Sequence, residues 1–105
     1  RVPSSVLKEL FGSIKDCKNL TTLTLRYLGI DDSSDRDLCA MLQSLRHLDV
    51  LDLHGNRLTS DGIKAMAEHL QRRDKLEVIS LLENPGIKDQ NARKEIQKCC
   101  YLLED

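Results

Sequence analysis

Three blocks of this chain share one pattern at one spacing, and that pattern constrains the fold more than any other feature of the sequence. Leu20-Thr-Thr-Leu23-Thr-Leu25 reads L-x-x-L-x-L, as does Leu48-Asp-Val-Leu51-Asp-Leu53. Leu76-Glu-Val-Ile79-Ser-Leu81 is the same with one Ile for Leu. The opening leucines, Leu20, Leu48 and Leu76, stand 28 residues apart. A fixed period of this length marks a chain built from stacked supersecondary units. Within each block the last two apolar positions are two apart, so both side chains leave one face of a strand.

Between the blocks the period changes. Leu38, Met41, Leu42, Leu45 and Leu48 recur at three and four, as do Ile63, Met66, Ala67 and Leu70. Leu7, Leu10, Phe11, Ile14 and Cys17 repeat this spacing ahead of the first block. Each unit therefore reads as a strand, a turn and a helix. The predicted organisation is a single domain over 1–105, with an N-terminal helix in 1–19 and repeats in 20–47, 48–75 and 76–105. A last helix is expected from about Gln90 to Cys100, with Ala92, Ile96 and Cys99 on its apolar face. The tail Tyr101-Leu102-Leu103 reads as a cap over the last repeat or as the start of a fourth strand, with the cap favoured. Helix caps are expected from Ser4 or Ser5, from Asp32 to Asp35, from Ser60 or Asp61, and from Asp89. Asn84-Pro85-Gly86 is expected to lengthen the third turn by one residue.

These blocks resemble the ribonuclease-inhibitor subfamily of leucine-rich repeats. The resemblance is carried best by Leu48 to Leu76, LDVLDLHGNRLTSDGIKAMAEHLQRRDKL, with its Asn56 and its Asp61-Gly62 helix start. It implies an α/β leucine-rich-repeat solenoid of about three strand-turn-helix repeats, parallel strands on the concave face and helices on the convex face. It also implies that Asn56 and Asn84 bond turn backbone and link successive repeats. Leu28 holds the equivalent place in the first repeat and cannot do so, so the ladder is expected to break there.

Similar arrays form the ligand-sensing part of intracellular nucleotide-binding, leucine-rich-repeat receptors, some of them innate-immune. Others occur in ribonuclease inhibitor, in cytoskeletal regulators and in the GTPase-activating protein for Ran. The implied function is a non-catalytic protein-interaction or ligand-sensing module of such a receptor or regulator. The alternative is a GTPase-regulating protein using Arg26 or Arg57 at a turn edge.

Strand alternation places the candidate partner-binding residues. With Leu23/Leu25, Leu51/Leu53 and Ile79/Leu81 inward, the rows Thr22, Val50, Val78, then Thr24, Asp52, Ser80, then Arg26, His54, Leu82 face out. Tyr27 and Glu83 lie at the turn edge with Gly55 between. The site expected on the concave face is Thr24, Arg26, Tyr27, Val50, Asp52, His54, Val78, Ser80, Leu82 and Glu83. Tyr and Arg are residue types that carry binding energy at interfaces. A His54–Asp52 contact is possible on one strand, but Ser80 lies on the next strand and no oxyanion hole is in view, so no enzyme is predicted.

Composition agrees with a binding scaffold. Aromatic residues are only 3%, so the core must be aliphatic, and 16 basic against 17 acidic residues leave a net charge of −1. That balance lacks the basic footprint of a nucleic-acid binder. No GxxxxGK[ST], GxGxxG, EF-hand or CxxC motif points to a cofactor or metal. The four cysteines, Cys17, Cys39, Cys99 and Cys100, follow the helical spacing and read as buried, reduced thiols of a cytoplasmic protein. No apolar run approaches a transmembrane length, so no membrane insertion is expected. A start at Arg1 rather than Met reads as part of a longer protein. A protein partner is expected, and open strand edges allow self-association.

Overall fold

In a computed structural model, which describes residues 2–73 and 76–104, the chain is α/β with one sheet of four parallel strands. Arg1, and residue 75 at the expected junction between repeats, lie outside the described residues. The elements run α1 (Ser4–Ile14), β1 (Thr22–Thr24), α2 (Asp35–Ser44), β2 (Val50–Asp52), α3 (Ser60–Leu70), β3 (Val78–Ser80), α4 (Gln90–Gln97) and β4 (Tyr101–Leu102). Short 3-10 turns at Asp32–Ser34 and Pro85–Lys88 precede α2 and α4. Strand order follows chain order, and the helices contact one another in the same sequence, α1 with α2, α2 with α3, α3 with α4.

The register reproduces the 28-residue spacing. Leu23 pairs with Leu51, and Leu51 with Ile79, so equivalent side chains form a column. That column is buried more completely toward its centre. Leu51, Leu53, Ile79 and Leu81 have no exposure, while Leu25 keeps 6% and Leu23 is half-buried on the edge strand. Leu38, Met41 and Leu42 of α2, Leu45 just past its end, and Ile63, Met66 and Ala67 of α3 share one core with this column and are fully buried. One contiguous core results, aliphatic apart from Phe11, as the shortage of aromatics requires.

The polar residues of the turns hold successive units together. Asn56 Oδ1 accepts the N–H groups of Leu28 (3.1 Å) and Ile30 (3.0 Å), and its Nδ2 donates to Leu25 O (2.8 Å) and Leu53 O (2.9 Å). One unit on, Asn84 Oδ1 accepts from Leu58 N, and its Nδ2 donates to Leu53 O and Leu81 O. Each amide thus serves the turn of the unit before it. The expected break does not fall between the first and second units, because Asn56 bonds the turn that holds Leu28. Leu28 itself has no side-chain amide to offer.

Several local expectations change. The tail is a fourth strand, with Tyr101 beside Val78 and Leu102 beside Ile79, rather than a cap laid over the end. The last helix stops at Gln97, three residues early, because Cys99 and Cys100 must turn the chain toward β4; both donate their amide N–H to Ile96 O. From Asn84 to Gln90 is six residues against four from Asn56 to Ser60, so the third turn gains two residues rather than one, taken up by the Pro85–Lys88 3-10 turn.

Asp89 caps α4 by accepting Asn91 N–H at 2.8 Å, as expected. Ahead of α2 the cap is Asp31, one residue before the expected Asp32 to Asp35, and it accepts Ser33 N–H at 3.0 Å at the 3-10 turn. Neither α1 nor α3 has a side-chain cap of its own. Pro3 precedes α1 and Thr59 precedes α3. Asp32 of the previous unit reaches Thr59 instead, accepting its N–H at 3.0 Å and its hydroxyl proton. Gly62 leaves the space this carboxylate fills, since a Cβ there would fall on Asp32 Oδ1. Cys17 lies beyond the end of α1 and is exposed, contrary to its expected burial. Among the described residues no helix is long and apolar enough to cross a membrane.

Replacing Asn56 with Leu leaves Leu28 N–H, Ile30 N–H and Leu25 C=O without their partner, whereas Leu53 O keeps Asn84. At roughly 1–3 kcal/mol for each stranded group, urea unfolding of Asn56→Leu should show a loss of about 3 kcal/mol or more. A loss below about 1 kcal/mol would mean the amide is incidental.

Candidate functional site

The face of the sheet away from the helices carries the residues singled out by strand alternation, in the rows expected. Thr22, Val50 and Val78 are consecutive Cα partners, as are Thr24, Asp52 and Ser80. Arg26, His54 and Leu82 follow at the carboxyl ends of the strands. The first row continues to Tyr101 on β4, and Leu103, two residues on, extends the second. Neither residue was anticipated as part of the site. Their strand starts 23 residues after its predecessor rather than 28, and Cys99 stands where the pattern has Leu, so the repeat signal is nearly lost there.

A chain of polar contacts crosses the strand ends. Arg26 Nε donates to Asp52 Oδ2 at 2.6 Å, and the other Asp52 oxygen accepts the His54 backbone N–H at 3.0 Å. The His54 ring turns away from Asp52 to meet Glu83 Oε2 with its Nε2 at 2.9 Å. Its other neighbour is the ring of Tyr27, 5.3 Å away and tilted by 54°. The His54–Asp52 contact that the shared strand face allowed runs through backbone, and the imidazole pairs with a carboxylate one strand further on.

Two members of the rows are less accessible than alternation alone implies. Asp52 is 9% exposed and Ser80 only 4%. Both side chains are short and sit in the middle of the sheet, and the longer Arg26 binds Asp52 on one side. The Ser80 hydroxyl has no hydrogen-bond partner, a buried polar atom in the middle of the face. An unsatisfied hydroxyl of this kind costs stability and becomes favourable when an incoming group bonds it. Val50, Val78, Leu82 and Leu103 are half-buried around it, while Thr24, Arg26, Tyr27 and Glu83 are exposed.

Backbone conformation fixes the rim. Tyr27, Gly55 and Glu83, equivalent positions of the three units, all have positive φ, at 55°, 75° and 58°. This left-handed conformation is unfavourable for residues with a Cβ, so Tyr27 and Glu83 are held there by their surroundings. Tyr27 N–H donates to His54 O and Gly55 N–H to Leu82 O, which imposes the turn on each unit from the next. Glycine at 55 leaves room for the Tyr27 ring, since a Cβ would fall on its Cδ1 and Cε1. Tyr27 nevertheless remains 61% exposed, and Tyr101 at the far end of the face 60%.

Thiol chemistry belongs elsewhere. Burial pushes the Cys39 thiol up to about 12, with the Asp35 carboxylate adding to the effect. Burial likewise raises Cys100 to about 12 and is the largest cause of the rise at Cys99. Among the described residues no group of three His, Cys, Asp or Glu side chains is placed to hold a metal ion. No family model and no curated protein matches this sequence.

Thiolate is the reacting form, and the raised values keep Cys39 and Cys100 protonated until pH approaches 12. At pH 8 a thiol-exchange reagent should therefore label exposed Cys17 in the native protein well before them, and all four cysteines after denaturation. Equal rates at Cys17, Cys39 and Cys100 would contradict the burial described. Gly55→Ala should cost about 1–2 kcal/mol from its φ alone and displace the Tyr27 ring, visible as a change in the ring-current shifts of His54. Unchanged His54 shifts would show that the ring does not rest on Gly55.

Proposed function

We propose that the chain is a run of ribonuclease-inhibitor-type leucine-rich repeats and acts as a non-catalytic protein-binding or ligand-sensing module of an intracellular receptor or regulator. The observation that carries this reading is the prearranged strand face. Arg26, Asp52, His54 and Glu83 are already bonded to one another, beside a half-exposed apolar field and between two exposed tyrosines. A surface whose side chains are fixed before contact loses little entropy on binding. Exposed Tyr and Arg beside aliphatic groups match the composition of interface hot spots. The 28-residue register and the linking amides of Asn56 and Asn84 support the repeat assignment.

The same contacts speak for binding rather than hydrolysis. The His54 ring bonds Glu83 and not the Ser80 hydroxyl, so it is not positioned to activate that oxygen. A GTPase-regulating role would use Arg26 or Arg57, of which Arg26 already bonds Asp52 through its Nε while Arg57 is exposed.

The test is a variant that removes contact area and leaves the polar chain alone. Tyr27→Ala, Leu82→Ala and Tyr101→Ala together should abolish partner capture, a weakening of at least about 100-fold at hot-spot values, with little change in thermal unfolding. A control, Glu68→Ala on the helix side, should bind as the parent does. Intact capture by the triple variant would move the binding site off the strand face.

A further inference from the structure

Where the chain leaves α2 and α3 for the next strand, four side chains converge on a cavity of about 220 Å³: Gln43, Arg46, Arg72 and Arg73. Gln43 lies in the last turn of α2 and Arg46 two residues past its end. Arg72 and Arg73 stand two and three residues past the end of α3. Among the described residues no carboxylate lines this cavity. Asp74 and Lys75, next in the sequence, add no net charge. Three guanidiniums therefore share one opening in a chain whose net charge is −1.

Two of the four are fixed by the fold. Arg73 Nη2 donates to Leu45 O at 2.5 Å and to Leu48 O at 3.3 Å, bracing the turn between α2 and β2. Gln43 Nε2 donates to His69 O at 2.7 Å, across to α3, and retains a second N–H. Arg73 also departs from the 28-residue pattern, since Leu45 stands one period before it and is fully buried. Packing of the stack does not by itself call for an arginine at that position.

Arg46 and Arg72 are placed differently. A cation beyond a helix's carboxyl end commonly serves the last carbonyls and the dipole, and of the three arginines Arg73 takes that part. The side chains of Arg46 and Arg72 are exposed and have neither a hydrogen bond nor an ion pair among the described residues. Like charges facing one cavity repel, and an anion entering between them reverses the sign of that interaction. A guanidinium offers its N–H groups as a planar fork that matches two oxygens of a phosphate at once.

We propose that this cavity binds the phosphoryl group of a phosphate-bearing anion. Arg46 and Arg72 close on its oxygens, while Arg73 and Gln43 form the fixed wall. Recognition rests on charge and on the phosphoryl oxygens, which a free phosphate and a lipid headgroup share. Arg46 comes from the turn before β2 and Arg72 from the turn before β3, so an occupant links two adjacent units and stabilises the folded stack. None of the four residues belongs to the strand face, so this site is separate from the candidate partner surface.

Titration of the isotope-labelled chain with pyrophosphate, at an ionic strength held constant with sodium chloride, tests this by nuclear magnetic resonance. The expected result is a saturable shift of the Arg46 and Arg72 Nε–H resonances, with a rise in Tm. Arg46→Gln and Arg72→Gln together should weaken binding at least about 100-fold, roughly tenfold for each guanidinium removed. Both positions are exposed, and Arg73 stays in place to brace its turn. Lys8→Gln with Lys88→Gln removes the same charge elsewhere and should bind as the parent does. Co-sedimentation with phosphatidylcholine vesicles, with and without phosphatidic acid, separates the two sources. Saturation by pyrophosphate without pelleting gives a soluble ligand. Pelleting that needs phosphatidic acid and is lost in the double arginine variant gives a headgroup. Shifts that never saturate together with no pelleting, or binding of either probe that survives the double arginine variant, would overturn the proposal.

Discussion

The side-chain amides of Asn56 and Asn84 are the constraint on which the structure depends. A chain that leaves a strand, turns and enters a helix exposes backbone N–H and C=O groups that regular structure cannot pair. Here those turns lie against the core, where water is not available to them, and buried polar groups must be bonded. One amide carries both an acceptor and two donors, so it can satisfy groups of two chain segments together. Asn56 does this across the first and second units, and Asn84 across the second and third, with Leu53 O shared between them. The leucine column is thereby held at one register, and a slip of one residue would turn every inward side chain to the other face.

The candidate binding face follows from that register. Once Leu51 and Ile79 point into the core, Val50, Asp52 and His54 must face outward beside Val78, Ser80 and Leu82. The left-handed residues at 27, 55 and 83 then end each strand at the same height and bring Tyr27, His54 and Glu83 together. Specific side chains thus converge because equivalent backbone positions are stacked, not because they are near in sequence. Interactions between units also account for two more of the glycines. Gly62 makes room for Asp32, and a Cβ on Gly86 would fall on the Thr59 backbone.

Much of this was legible in the sequence where local pattern and the 28-residue period agree. The three blocks located β1 to β3, the alternation within them sorted core from face, and the spacing of Leu38 to Leu45 and Ile63 to Leu70 located two helices. What was not legible depends on neighbours distant in the chain. The burial of Asp52 depends on Arg26, 26 residues earlier. The N-terminus of α3 looked as though Ser60 or Asp61 must cap it, yet Asp32 reaches across from the previous unit to Thr59. β4 was obscured because its unit is shortened and Cys99 replaces a leucine. Cys17 carried the helical spacing but fell past the last turn of α1, where spacing no longer implies burial. Leu28 was correctly seen as the position without an amide, but the direction in which the amides act, back toward the preceding turn, emerges only from the bonds themselves.

Amide hydrogen exchange under native conditions measures the central claim most directly. The N–H groups of Leu28, Ile30 and Leu58 lie in irregular turns, where amides ordinarily exchange through small local openings. If the asparagine amides lock these turns to the core, the three should exchange as slowly as buried Leu53 at the end of β2, whose N–H is bonded to Ser80 O, through global unfolding alone. Exchange of Ile30 and Leu58 at the rate of exposed loop amides, with Leu53 still protected, would show that the turns move independently of the stack and that the register is set by something else.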